Sequence, residues 1–476
     1  MTGSGGALAP PAPPAGVTRR QLAGLVSAPL VCLALWFLPT HESIVAQHAI
    51  AIAALTIVLW ITEAVDHATA GLIGLSLFWA SGVGTLNQIF SGFVGETPWF
   101  LLGALLIGAM ASKSGLAQRV AFAVTSRTGS SYSRLLLGFI IVDFLLTFVV
   151  PSGLARVTIL GAIAIGVVEA FKVGPKSHIG RGLFIIITYA ATIFDKMLIA
   201  GAASILARGL IQDLGGVQVL YSHWFLAYLP CDIITIIACW RLILWLYPPE
   251  KETIDDTGHM QKQLDLLGPW SAAEKKCAAY LLIAVTLWMT DFVHHISPAL
   301  IGIAVGLLGT LPRIGVLDVG DVRKLNFAAI WFTAAALSIG RLLSATKGLE
   351  VLTNVVSAVI NPFVTGPLTN AVVLYWTAFV YHFFLGNETA MLSTSMPVIM
   401  EFAKSKGFDP LATGMIWTFA SGGKIFVYQG AVLIVGYSFG YFDARDMLKV
   451  GFALTVIESL ILLLLVPLYW PLLGIG

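Results

Sequence analysis

Val150-Pro151-Ser152-Gly153-Leu154-Ala155-Arg156 interrupts the apolar run from Ser133 to Lys172 near its middle, and how this interruption is read decides the fold. Each flanking arm is about 17 residues, close to the ~20 that a helix needs to cross a bilayer. The run therefore either spans twice or enters and turns back, and a re-entrant hairpin over 133–172 is the expectation. Non-helical backbone at membrane depth persists only where protein buries it or where it lines a wet cavity. A guanidinium at that depth is costly unless it faces a cavity or a partner, so a break that holds Arg156 marks a site. Residues 367–403 repeat the design around Gly386-Asn387-Glu388-Thr389-Ala390. Two such tips facing each other would enclose an anion.

Composition fixes the setting. Of 476 residues, 58% are hydrophobic and 11% charged, and a mean hydropathy of +0.89 is far above that of soluble domains. The expected fold is an all-α polytopic membrane protein, with about 11 transmembrane helices plus two re-entrant hairpins in inverted repeats. The net charge of +2 is spread through short loops and gives no footprint for nucleic acid. No His-Glu-x-x-His, nucleophile elbow or P-loop occurs, so the chain reads as no enzyme, and energy must come from an ion gradient or from exchange. Cys32, Cys231, Cys239 and Cys277 lie in or beside apolar runs without a Cys-x-x-Cys, which fits core residues better than disulfides or metal ligands.

Residues 1–20 read as a disordered N-terminus rich in Gly, Ala and Pro. Residues 21–247 hold the first helix and the first repeat, with its hairpin at 133–172 and a broken helix at 181–211. A cytoplasmic linker follows at 248–276, then the second repeat at 277–476, with a hairpin at 367–403 and a broken helix at 410–438. At an offset of 228, Trp60, Thr62, Glu63 and His67 meet Trp288, Thr290, Asp291 and His295. At 232, Trp99, Phe100, Gly108 and Ser112 meet Trp331, Phe332, Gly340 and Ser344; near 235, Ala155 falls on Ala390. Duplication accounts for paired tryptophans and acids better than chance does. An odd number of spans between counterparts inverts the second half, and inverted repeats with helices broken near the midplane are the architecture of secondary transporters. With a cytoplasmic N-terminus, 18 Lys and Arg fall in inner loops and 5 in outer ones, the expected bias for a multi-pass protein of the inner (plasma) membrane.

Arg156, Lys196, Arg241 and Lys424 fall in neither loop set. Arg241 lies near a helix end and can snorkel. Asp195 and Lys424 are counterparts at an offset of 229. In one reading the charges neutralise one another, Asp195 with Lys196 or Lys424 and Glu388 with Arg156, and hold helices together. In the other, Arg156 and the helix N-termini behind each tip attract an anion's oxygens. Arg156, Lys196 and Lys424 against Asp195 and Glu388 leave one net positive charge, which favours an anion. The expected substrate-binding residues are Ser152, Gly153, Arg156, Asn387, Glu388 and Thr389, and the coupling or charge-compensating ones are Asp195, Lys196 and Lys424. Ser152, Asn387, Thr389, Ser393 and Thr394 either donate to the anion or satisfy backbone freed by the breaks. Glu63 and Asp291 read as structural, His382 as a packed core histidine, and Asp143 has no assigned role. A cation/proton antiporter using Glu388 and Asp195, or a carrier-like anion sensor that moves nothing, are the competing readings.

Trp60-x-Thr62-Glu63, Pro151-Ser152-x-x-Ala155-Arg156 and Gly440-Tyr441-Phe442-x-x-x-Asp446-Met447-Leu448 resemble the divalent anion/sodium symporter family, most closely its bacterial branch of di- and tricarboxylate carriers. The resemblance covers nearly the whole chain past residue 20. It implies a homodimer with a scaffold and a mobile domain moving as an elevator, and two Ser-Asn-Thr tips that bind substrate carboxylates and shape sodium sites near Ser152 and Thr389. At the first tip Ser152 is kept, while Gly153 and Leu154 replace the family's Asn and Thr. At the second, Asn387 and Glu388 replace Ser and Asn, and Thr389 is kept. Ala200-Gly201-Ala202 and Gln429-Gly430-Ala431 stand at the two helix breaks. Lys196 and Lys424 put ammonium groups beside the sodium cages, so a lysine standing in for sodium, with exchange or proton coupling through Glu388 or Asp195, is the expectation. The partners implied are a small anionic substrate and the lipid bilayer, and no cofactor beyond a sodium ion.

Overall fold

Without water, backbone N–H and C=O groups must find partners within the protein, and a helix supplies them within one segment. The computed structural model describes residues 17–38, 43–150, 152–253, 259–364, 366–385 and 387–476, and within them the regular structure is helical apart from one isolated bridge between Ser131 and Thr253. Most of the N-terminus expected to be disordered, Pro151 of the first tip, part of the linker and Gly386 of the second tip lie outside the described residues.

The helices of the first half are α1 Arg19–Phe37, α2 Ile44–Thr62, α3 His67–Ala80, α4 Glu96–Ser114, α5 Leu116–Thr125, α6 Tyr132–Val149, α7 Gly153–Ala170, α8 His178–Met197, α9 Ala202–Gly215 and α10 Tyr221–Leu246. The second half has α11 Ala272–Met289, α12 Pro298–Leu308, α13 Phe327–Ala345, α14 Gly348–Ile360, α15 Pro367–Tyr381, α16 Glu388–Lys406, α17 Pro410–Ala420, α18 Ala431–Ser438 and α19 Ala444–Leu468. Shorter helical pieces fill the connections.

Among the described residues, eight helical segments are long and apolar enough to cross a membrane, or nine if the bent pair α4–α5 counts as one. The expectation of about eleven spans therefore exceeds what length and hydropathy support. Hydropathy alone does not register helix stops: the apolar run 297–312 yields an α12 of 11 residues, capped at Gly309 with Pro312 beyond, and α3 has 14. Both arms of the first hairpin are 18-residue helices that could cross by length.

Local chemistry explains several boundaries. Thr18 and Gln21 form a capping box that starts α1. Gly115, at φ +81°, ends α4 in the left-handed region, which glycine reaches without a Cβ clash, and the chain bends 65° into α5. Lys347 takes φ +63° between α13 and α14.

Packing crosses the two halves. α3 lies on α13, and α12 lies on α4. The second contact brings backbones together: a Cβ on Gly103 would stand 2.4 Å from the carbonyl carbon of Gly302, the small-residue contact that lets membrane helices approach. At the centre is the segment α8–α9, whose most apolar stretch is 94% buried and which touches α6, α7, α10, α16 and α18. It is broken at Leu198–Gly201, and the second half is broken between α17 and α18 around a 3-10 turn at Val427–Gln429.

Candidate functional site

The first tip is built where α6 ends and Ser152 starts α7 with extended backbone, its Oγ accepting the Ala155 N–H at 3.4 Å. The next N–H, of Gly153, donates to Asp195 Oδ1 at 3.2 Å, reaching across to the last turn of α8. That approach requires glycine, since a Cβ on Gly153 would lie 2.9 Å from the Ala191 carbonyl oxygen and 3.0 Å from Val432 Cγ2.

Arg156, one turn further, is fully buried. Its Nε donates to Asp143 Oδ1 at 3.1 Å, Nη1 to the Val150 carbonyl at 3.2 Å and Nη2 to the Ala191 carbonyl at 2.8 Å. Asp195 Oδ1 is 3.6 Å from Nη1. A guanidinium at this depth is stable only with its donors met and its charge balanced. Arg156 is thus engaged by Asp143 on the preceding arm, by Asp195 and by carbonyls, and in this structure it does not face a space where an anion could sit.

The second tip inverts the signs. Asn387 caps α16, its Oδ1 accepting the Thr389 N–H at 2.9 Å and the Thr389 hydroxyl at 2.6 Å. Glu388 binds Lys424 Nζ through Oε2 at 2.7 Å and accepts the Ser421 hydroxyl through Oε1 at 2.7 Å. Lys424 sits in the break between α17 and α18, only 5% exposed. Gln429 Oε1 holds that break by accepting the N–H groups of Ile425 and Phe426, both at 2.8 Å. Each tip is therefore tied to the broken helix of its own half by an ion pair. In the first the cation is on the tip and the acid on the broken helix; in the second the arrangement is reversed.

The pairing differs from the one expected. Glu388 meets Lys424 rather than Arg156, and Asp195 meets Arg156 rather than either lysine. Among the described residues Lys196 forms an ion pair with neither tip; its Nζ is 3.4 Å from Glu458 Oε1 and 4.2 Å above the Phe419 ring. The charge count also changes. With Asp143, Asp232 and Glu458 buried beside the expected residues, three cations face five acids, and the single net positive charge read from the sequence is not what the fold assembles. What remains positive at the tips are the N-termini of α7 and α16, whose partial charge favours anions.

Other residues fall into place around this frame. Ser393 and Thr394 bond the Ala390 carbonyl at 3.0 and 2.8 Å and so serve the backbone. Asp291 accepts the N–H groups of Tyr221 and Ser222 at 2.6 and 3.3 Å, closing the start of α10, and Glu63 ends α2 at φ +50°. His382 is buried, with neither ring nitrogen bonded among the described residues. Arg241 lies 4.7 Å over the Trp240 ring near the end of α10. Ser421, Asp232 and Glu458 were not singled out by sequence, although a lone acid in an apolar helix is itself a signal.

The family described as the sodium:sulfate symporter transmembrane region matches residues 19–475. Dicarboxylate transporter 1 of Spinacia oleracea chloroplasts is 25% identical, covering 95% of this chain and 81% of its own. A citrate/succinate antiporter of Escherichia coli is 24% identical over 81% of this chain and 80% of that one. Among solved structures, the Alcanivorax borkumensis YdaH transporter superposes with a TM-score of 0.56 over 84% of this chain and 90% of that chain, at 14% identity, a likeness of fold.

Proposed function

We infer the activity from a premise of kinship: this chain belongs to the sodium:sulfate symporter family, and it is a secondary transporter of small anions of the dicarboxylate or citrate type. The substrate lies between the two tips, with one carboxylate at the N-terminus of α7 and another at that of α16. Ser152, Gly153, Asn387 and Thr389 supply polar groups to it, while Arg156 and Glu388 set the charge behind it through Asp195 and Lys424. The observation that carries this reading is the reciprocal pair of ties, Arg156 to Asp195 at 3.6 Å and Glu388 to Lys424 at 2.7 Å, which make each tip and its broken helix one body.

The two halves are inverted repeats, each a hairpin followed by a broken helix, and the hairpins are re-entrant. Support comes from the crossed packing of α3 on α13 and α12 on α4, and from the left-handed residues Gly115 and Lys347, one in each half at the offset of 232. The protein sits in the plasma membrane with its N-terminus cytoplasmic, as a homodimer whose tip-bearing parts move as an elevator.

Lys424 occupies the place of a coupling cation, so the carrier works by exchange or with protons. Counterflow of labelled succinate and citrate in proteoliposomes tests both statements. Uptake independent of sodium and stimulated by internal carboxylate is expected, and uptake that scales with a sodium gradient and ignores pH would overturn the coupling. The excess of buried acids favours one second reading, a cation/proton antiporter. That protein would move protons in response to sodium or potassium with no carboxylate present.

A further inference from the structure

Asp232 lies within the 26-residue α10 and is completely buried. Neither of its carboxylate oxygens has a hydrogen-bond partner among the described residues. On the helices packed against α10, two charged groups face it, Lys196 at the end of α8 and Glu458 on α19. Glu458 uses both oxygens, one toward Lys196 at 3.4 Å and the other accepting the Tyr375 hydroxyl at 3.1 Å. The remaining titratable groups on these elements are engaged elsewhere or lie at the helix ends. Tyr189 donates to the Lys424 and Met447 carbonyls, Asp143 holds Arg156, and Asp446 and Asp291 bond Tyr247, Tyr221 and Ser222 at the two ends of α10. Glu274 is paired with Arg119. Tyr228 donates to the Met415 carbonyl and Cys231 to that of Ala227, while Cys239 lies further along α10 itself.

One ammonium therefore stands against two buried acids. Glu458, bonded through both oxygens, carries the charge that balances Lys196. A second ionised carboxylate with no donor in a dry interior would be strongly unfavourable, so Asp232 is the group that holds a proton.

We propose that Asp232 is the proton-carrying residue of this transporter, unloading its proton as the anion leaves the tips and reloading as an anion binds. In the unloading step, which takes place when the movement of the tip-bearing parts admits water to Asp232, the Asp232 O–H bond breaks, the proton goes to that water and a carboxylate remains. That carboxylate competes with Glu458 for the Lys196 ammonium. Lys196 is the chain neighbour of Asp195, which holds both Gly153 and Arg156 of the first tip, so a shift of Lys196 pulls on the tip. A bound anion and a bound proton thus favour each other, and by linkage the effect is mutual. The inference rests on the anion-carrier reading for its role in transport, but the protonation of Asp232 can be measured without it.

The infrared spectrum of the purified protein, wild type minus Asp232→Asn, should show the carboxylic-acid C=O stretch of a neutral acid lost in the variant. A difference spectrum without that band overturns the proposal. Asparagine matches the neutral acid in size, so Asp232→Asn should keep wild-type thermal stability, whereas Glu458→Gln, which strips Lys196 of its counter-charge, should lower it; the reverse order overturns the proposal. In proteoliposomes, the ratio of succinate uptake with and without an inward proton gradient should exceed one for wild type and fall to one for Asp232→Asn. A variant that keeps the wild-type ratio refutes the coupling role. Wild-type protein that moves no carboxylate under any condition refutes the carrier reading instead, while the infrared result still decides the state of Asp232.

Discussion

Replacing Lys424 by alanine should turn this carrier into one that responds to sodium. The ammonium binds Glu388 at 2.7 Å, and the two side chains are 5% and 13% exposed, so the pair is largely withdrawn from water. Removing one member of such a pair leaves an uncompensated charge and costs about 3 to 5 kcal/mol. The other oxygens stay in place: the second Glu388 oxygen with the Ser421 hydroxyl, and Asn387 capping the same helix. A sodium ion fits that charge and that oxygen-rich lining. At ~100 times its dissociation constant it would restore about 2.7 kcal/mol. The assay is the apparent Tm of detergent-purified protein in sodium against choline chloride at equal ionic strength. Lys424→Ala should be destabilised in choline and substantially recovered in sodium, and wild type should be indifferent. A variant no more sensitive to sodium than wild type, or a wild type stabilised as strongly, refutes the reasoning that Lys424 replaces a cation.

Further expectations follow from the geometry. Gly153→Ala should slow succinate counterflow and lower the apparent Tm, because overpacking at the 2.9 Å approach to the Ala191 carbonyl costs about 1 to 3 kcal/mol; an unaffected variant would mean the tip is not pressed against α8. Glu274→Ala strands Arg119, which donates to it at 2.6 Å and to the Gly268 carbonyl at 3.0 Å, a loss of about 3 to 5 kcal/mol; stability should fall while the pH profile of transport stays put. Asp318 is held from 3.8 down to about 2 by its hydrogen bond from Lys113. Its folded value lies below its unfolded one, so its contribution is complete above 3.8 and lost only as pH falls through 2. Asp318→Asn should therefore leave any change in transport between pH 5 and 8 intact, as measured in the same vesicles.

Much of this was legible in the sequence, and the remainder was hidden for identifiable reasons. Hydropathy announces an all-helical membrane protein, and Gly201 and Gly430 announce helices that cannot run straight through. Ion pairing was not legible, because it depends on which helices face each other. Lys196 and Glu458 are 262 positions apart, and no periodicity brings them together. Arg156 was expected to meet either Glu388 or an anion, and Asp143 was given no role. Asp143 lies 13 positions earlier, on the other arm of the hairpin, and only the fold brings it within reach. The apolar run 297–312 holds a helix of only 11 residues, cut by Gly309 and Pro312, since a helix needs its backbone pattern as well as apolar side chains.

The most direct test is cysteine accessibility at the tips. In a background lacking the native cysteines, Ser152→Cys and Thr389→Cys are labelled with a membrane-impermeant maleimide from each side of oriented vesicles, with and without succinate. Both cysteines line one site that opens to each face in turn, so both should be labelled from the face to which the site is open, with succinate slowing both. Labelling of one tip while the other stays unreactive from either face, or rates that succinate leaves unchanged, would contradict an anion path running between the two tips.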